Sequence, residues 1–554
     1  MRRRPAVSGQ AGQILAAGRN RLPSREGLAR TRRLTESRES TVPFFARFRA
    51  SPDIFKVGIG WTVLVLLVLI AGYGSVRVCP PTNFCEKGPR FFGWQPLFAA
   101  LLVWSLGIAV LGLIARRAKN RRDPATEVEV QSRRASAGLA FALCGLTTLA
   151  VGHAFLLSPQ IPHPFWAYPV HLSAGLGFPL NWDSPLLMDL AVSPKSLLRP
   201  GPGQLRQHRP LYIWMTAGLT RVLAPLARAS GLARLYRIEH PAYLPSIVLN
   251  WCLLTVALFL FWRFLNDLGG RQVGYAAFLC AVPFLFNDTV KAFFWTPHMQ
   301  FFNLLFPVLG LTLCRAILIG PSFPPLKVLF TGLSLGVLAL AHGSALFLLP
   351  ALVPALIMKA RLDDSKSWSR AGLRPVLLAL GFAIPLGLWM FVAWRSGGDY
   401  NDITIRKDRN FVWILDALRV GPGELLVRAS SYFLLYARVL EKVCGLLAVF
   451  GVLLLFAALA LGMPLSPSLP RRRQALIASL LMLSSSLALL YMVGGYAERF
   501  MFFVGPILLV ICALWLTEVL ERSRRSTRVL LFGALAGMAV LWVVYEVAKY
   551  GPYA

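Results

Sequence analysis

Asn181-Trp182-Asp183-Ser184-Pro185 places a single carboxylate between an aromatic residue and a Ser-Pro pair. An Asp followed by Ser-Pro reads as a helix-start cap, because both residue types favour that position. It reads equally well as a general base. Asp189 follows six residues later as the other nearby acid. A dense polar run, Gln204 to Tyr212, comes next and carries Arg206, His208, Arg209 and Tyr212 just ahead of an apolar stretch. Packing alone does not explain that run, whereas planar guanidinium forks suit phosphate oxygens. Further polar groups sit at the edges of apolar runs: Lys291, His298, His342 and the pair Glu498-Arg499. Each has a plain reading beside the chemical one. His298 fits a solvated interfacial histidine, His342 a helix-end residue beside Gly343, and Glu498 and Arg499 can pair with each other. Together, one carboxylate and several cations suffice for sugar transfer from a lipid phosphate with inversion. A base takes the proton of the acceptor hydroxyl, and cations stabilise the departing phosphate. Hydrolysis of a glycoside calls for paired carboxylates, and no good pair is visible.

Other chemistries leave no trace. The chain has no phosphate-binding glycine loop, no dinucleotide glycine motif and no HExxH. The outer acids leave room for a divalent metal, but no ligand spacing demands one. The net charge of +33 is large, yet no zinc-finger spacing or aromatic-basic stripe suggests a nucleic-acid partner. The basic residues instead flank apolar runs, as membrane topology requires, with some attraction to anionic headgroups.

Those runs are the elements that must position the polar residues. Of the 554 residues, 56% are hydrophobic and only 15% charged, against about 25% charged in a soluble domain. A hydrocarbon layer about 30 Å thick needs roughly 20 apolar residues per helix. Spans are expected at 54–74, 95–115, 135–157, 242–264, 273–290, 299–319, 327–341, 344–358, 375–394, 432–460, 475–493, 499–520 and 528–546. The fold class is therefore an all-α polytopic membrane protein with about 11–13 transmembrane helices. Residues 1–50 carry twelve arginines and three glutamates and read as a disordered basic cytoplasmic tail. Residues 51–134 form a two-span extension, and 135–554 the main transmembrane domain. The clusters Arg116–Arg134, Lys359–Arg374, Arg471–Arg473 and Arg522–Arg528 belong inside, with the N-terminus. This parity works only if the apolar run 327–358 breaks at Ala341-His342-Gly343-Ser344 and returns to the side it started from. Cys79 and Cys85 then share an outer loop where a disulfide is plausible, and the other six cysteines read as small core residues.

Segment 158–241 becomes a long outer loop. Leu211–Leu235 reads as amphipathic interfacial helix, with Arg221, Arg228, Arg234 and Arg237 on one side. Segment 395–431, with Asp399, Asp402, Arg406, Lys407, Asp408 and Arg409, is a second outer loop. This order of elements resembles the GT-C superfamily of polyprenyl-phosphate-dependent glycosyltransferases, which includes protein O-mannosyltransferases and bacterial aminoarabinose transferases. The match is architectural and covers roughly residues 135–546. The Asp-Glu pair typical of several such families is absent, since Ser184 follows Asp183, and Asp189 is the substitute acid. The resemblance implies a polyprenyl-phosphate sugar donor and a glycan, lipid or protein acceptor. It implies Asp183 or Asp189 as base in the cytoplasmic (inner) membrane. Arg206, His208, Arg209, Tyr212, Lys291, His298, His342, Glu498 and Arg499 would bind the substrate. Two alternatives stand: an O-antigen ligase or polymerase type, whose main loop usually falls late in the chain, and a lipid or solute transporter. A transporter predicts short outer loops and charges deep in helices. Arg263 and Arg315 are the nearest such charges and read as snorkelling side chains, while Arg438 and Glu441 could pair on one helix face.

Overall fold

The structure is a computed structural model. It describes residues 138–139, 141–146, 149, 168–171, 177–181, 183–199, 207–229, 240–268, 276, 279, 282, 290, 293–320, 323–363, 368–397, 412–439, 469–494 and 497–550. The expected tail, the spans at 54–74 and 95–115, the Cys79–Cys85 loop and all the charged residues named for 395–431 lie outside these.

The described chain is helical except for one hairpin. Strands β1 (Tyr168–His171) and β2 (Gly177–Leu180) pair antiparallel, with Tyr168 opposite Leu180 and His171 opposite Gly177. The sequence reading expected no strands in the outer loop. Two helices follow in that loop, α1 (Ser184–Val192) and α2 (Pro210–Ala229). Then come α3 (Tyr243–Asn266), α4 (Phe302–Ile319), α5 (Pro325–Ala339), α6 (Leu349–Asp363), α7 (Trp368–Arg395) and α8 (Val412–Val420). After α9, residues 422–439, the chain ends in α10 (Pro470–Val493), α11 (Ala497–Arg522) and α12 (Arg525–Tyr550).

Among the described residues, six helical segments are long and apolar enough to cross a membrane: Tyr243–Asn266, Met299–Ile319, Gly343–Leu362, Gly372–Arg395, Pro470–Val493 and Phe502–Arg522. The chain is thus an α-helical multi-pass membrane protein. Only helices satisfy every backbone polar group within one apolar segment, which is why such runs fold this way. Hydroxyls within the helices are absorbed in the same manner. Thr255, Thr312, Ser479 and Thr517 each donate to the carbonyl four residues back. The core is built around α4 and α11, which pack on each other and on α10, while α7 keeps much of its apolar surface exposed.

The run 327–358 does break. Helix α5 stops at Ala339, and a 3-10 turn (Gly343–Leu348) leads into α6. Helices α5 and α7 approach through glycine. A Cβ on Gly332 or Gly336 would overlap the carbonyl oxygens of Leu378 and Phe382, and one on Gly381 would overlap that of Leu329. Small residues spaced by four bring helix backbones together in this way.

Several expectations need correction. Segment 395–431 is not a plain loop, since it contains α8 and the start of α9. Trp413 of α8 is buried against Tyr432 and Tyr491, and its indole N–H donates to Met492 O at 3.0 Å. The link between the spans expected at 475–493 and 499–520 is shorter than those bounds imply. Gly494 closes α10 in the left-handed region, with φ +70°, and α11 begins at Ala497. Arg315 does more than snorkel: it pairs with Asp267 at 3.2 Å and lies over the Phe264 ring. Cys252 is exposed rather than in the core, while Cys144, Cys314 and Cys512 are buried.

Candidate functional site

Hairpin strand β2 runs directly into Asn181, and the turn there is fixed locally. Asn181 Oδ1 accepts the Asp183 backbone N–H at 3.0 Å, and Asn181 O accepts that of Ser184. Asp183 thereby becomes the residue before α1. Its side chain makes no capping hydrogen bond. The carboxylate instead faces His298, with Oδ2 at 3.7 Å from Nε2. The Asp183 side chain is 23% exposed and that of His298 only 1%. The imidazole therefore lies behind the carboxylate, and the Phe293 ring packs beside it at 4.9 Å.

His298 is held by a break in the helical path before α4. Three successive carbonyls in that break accept hydrogen bonds from three side chains, two on α3 and one on α1. Trp295 O accepts from the Tyr243 hydroxyl at 2.8 Å, Thr296 O from Asn250 Nδ2 at 2.9 Å, and Pro297 O from Ser184 Oγ at 3.0 Å. Buried carbonyls freed from a helix need such partners. Ser184, immediately after Asp183, thus ties the outer loop to the residue immediately before His298.

The second break, at 340–343, lies against the same end of the bundle. Ser344 Oγ donates to Asn303 Oδ1 in the first turn of α4, and His342 Nδ1 is 2.8 Å from Ser344 Oγ. The His342 ring also accepts the Ser344 backbone N–H at 3.3 Å, capping the 3-10 turn. The outer loop closes on this break as well, because the Leu211 N–H donates to Leu340 O at 3.1 Å. Gln207 is pinned on both sides. Its side-chain amide N–H donates to Leu197 O at 2.6 Å, and its backbone carbonyl accepts from the indole of Trp389 on α7. Trp214 of α2 stands edge-on to Trp389.

Helix α2 is amphipathic as expected. Tyr212, Ile213, Thr216, Ala217, Thr220 and Ala224 are buried, while Trp214, Met215, Arg221 and Val222 are exposed. Its Tyr212 is fully buried, and burial pushes the hydroxyl above its ordinary range.

The structure therefore gathers Asp183, His298, His342 and Tyr212 at one end of the bundle, with His208 and Arg209 half-buried beside the start of α2. Asp189 stands apart. It is 73% exposed on α1 and bonded to His240 at 3.2 Å, and six residues of helix turn it well away from the direction of Asp183. Arg206 and Lys291 lie outside the described residues, as do the side chains of Glu498 and Arg499, whose backbone forms the first turn of α11. Sequence reading missed Asn250 and Asn303, and it gave no role of their own to Asn181, Ser184, Thr296 and Ser344. Asn250 and Asn303 had one signal, since an amide inside an otherwise apolar run is costly unless it is used. Among the described residues no cluster of three His, Cys, Asp or Glu could hold a metal ion. Comparisons with protein-family models, curated proteins and solved structures found no match.

Proposed function

We propose that this protein is a membrane glycosyltransferase. It moves a sugar from a polyprenyl-phosphate donor to a glycan, lipid or protein acceptor on the extracytoplasmic side of the cytoplasmic membrane, with Asp183 as base. The observation that carries this reading is the Asp183–His298 pair: a carboxylate with one face open and a buried imidazole behind it. An accessible carboxylate can take the proton of an acceptor hydroxyl as the hydroxyl attacks the anomeric carbon. The sugar–phosphate bond breaks, and the lipid phosphate leaves as an anion. His298, 3.7 Å behind the carboxylate, is near enough to stabilise its charge across the buried side. His208 and Arg209, at the start of α2, are placed to meet the phosphate. The exposed Trp214 and Arg221 suit a helix lying at the headgroup level, where such a donor presents its phosphate. The clusters Arg471–Arg473 and Arg522–Arg528 support a cytoplasmic location for the opposite end of the bundle, and the reading takes the N-terminus to lie on that side.

The test is transfer from labelled polyprenyl-phosphate sugars by the purified protein in lipid. Wild type turns over and Asp183→Asn falls by roughly 10²–10⁴-fold. Equal turnover in the two would remove Asp183 from the scheme. Wild-type inactivity with every such donor, but activity with pyrophosphate-linked glycans, would replace the reading by a ligase.

A further inference from the structure

At the end of the bundle away from Asp183, Arg472 is 1% exposed and holds two carboxylates of α11. Its guanidinium donates to Glu518 at 2.7 Å and to both Glu521 oxygens at 2.8 and 2.9 Å. Arg522 reaches Glu518 from the other side at 3.4 Å. This clamp fixes the start of α10 beside the end of α11. It also consumes the carboxylates of that corner. Arg471 and Arg473 flank the clamped residue on α10, and Arg524 and Arg525 follow within four residues of Glu521. All four are exposed, and among the described residues no carboxylate pairs with any of them. The turn that carries the second pair is itself held, because Arg528 Nε donates to Ser523 O at 3.1 Å.

Membrane topology alone needs only positive charge in these flanks, anywhere along them. It does not need a buried clamp that brings two flanks to one corner and leaves four guanidiniums there without a paired carboxylate among the described residues. Both flanks adjoin apolar spans, Pro470–Val493 and Phe502–Arg522, so the corner lies at the headgroup level. We propose that this corner is a binding site for the headgroup of an anionic phospholipid, with Arg471, Arg473, Arg524 and Arg525 as the phosphate-binding residues. Planar guanidinium forks bind phosphate oxygens in pairs, and basic recesses between transmembrane helices hold such headgroups. The site is separate from the transfer reaction and does not depend on it.

Native mass spectrometry of the full chain in mild detergent, with cardiolipin or phosphatidylcholine added, tests the site. The variant Arg471→Lys/Arg473→Lys/Arg524→Lys/Arg525→Lys keeps every positive charge and so preserves topology. Wild type is expected to retain cardiolipin about tenfold over phosphatidylcholine, and the lysine variant to lose most of that preference. The smaller Arg524→Lys/Arg525→Lys variant, confined to an exposed turn, is expected to lose part of it. Equal cardiolipin retention by wild type and both lysine variants would overturn the site and leave only diffuse charge attraction. Displacement of the lipid by excess inorganic phosphate would overturn the lipid as the occupant.

Discussion

Asp183 and Asp189 are six residues apart on one short stretch, yet their surroundings differ enough to separate their roles. Asp183 has a buried imidazole behind it, whereas Asp189 is open to solvent beside His240. Asp189→Asn is expected to leave transfer within about twofold of wild type, because an exposed pair contributes little. Asp183→Asn should lower it by roughly 10²–10⁴-fold. A reversal of that order in the same assay would move the base to Asp189. His298→Gln keeps a polar side chain in the buried position but cannot take up a positive charge. It should lower turnover by about tenfold or more and alter the pH profile, whereas a merely packing role would leave the profile unchanged.

At the scale of elements, the two helix breaks matter more than the helices. The break at 295–297 exists because three side chains from α1 and α3 take over its carbonyls. The break at 340–343 exists because His342 and Ser344 cap it. Close packing supplies the other constraint. Gly332→Val puts methyl groups against the backbone of α7. The variant should lose about 1–3 kcal/mol, read as a lower melting temperature in detergent. Gly343→Val is the matched control, since nothing lies within 4 Å of a Cβ there, and its melting temperature should stay near wild type.

Across the whole molecule, one end of the bundle carries the polar layer and the other carries the ionic clamp. Glu518→Gln leaves Arg472 with half its partners in a buried setting, and breaking such a group costs about 3–5 kcal/mol. Thermal unfolding of that variant checks the figure, and an unchanged melting temperature would mean the clamp is not needed for stability. The topology predicts accessibility as well. Cysteines introduced at Gly343 and at Arg473 should be labelled by an impermeant thiol reagent from opposite sides of the membrane. Labelling of both from one side would refute the paired-segment reading of 327–358.

Among the described residues, hydropathy alone was enough to locate the long apolar helices, because a run of apolar residues long enough to cross a bilayer has no other way to satisfy its backbone. The expected spans at 242–264, 299–319, 375–394, 475–493 and 499–520 fall on α3, α4, α7, α10 and α11. Charge parity demanded the interruption near His342, and the turn at Gly343 is there. Asp183 and His298 were legible as polar residues at apolar edges, but not as neighbours. They lie 115 positions apart, and tertiary hydrogen bonds such as those of Ser184 and Asn250 to the 296–297 backbone bring them together. The hairpin before Asn181 left no clear pattern in the sequence. The clamp at Arg472 was hidden for a related reason. An arginine at a span end looks the same whether it faces water or two carboxylates of another helix, and only the packing of α10 on α11 decides which.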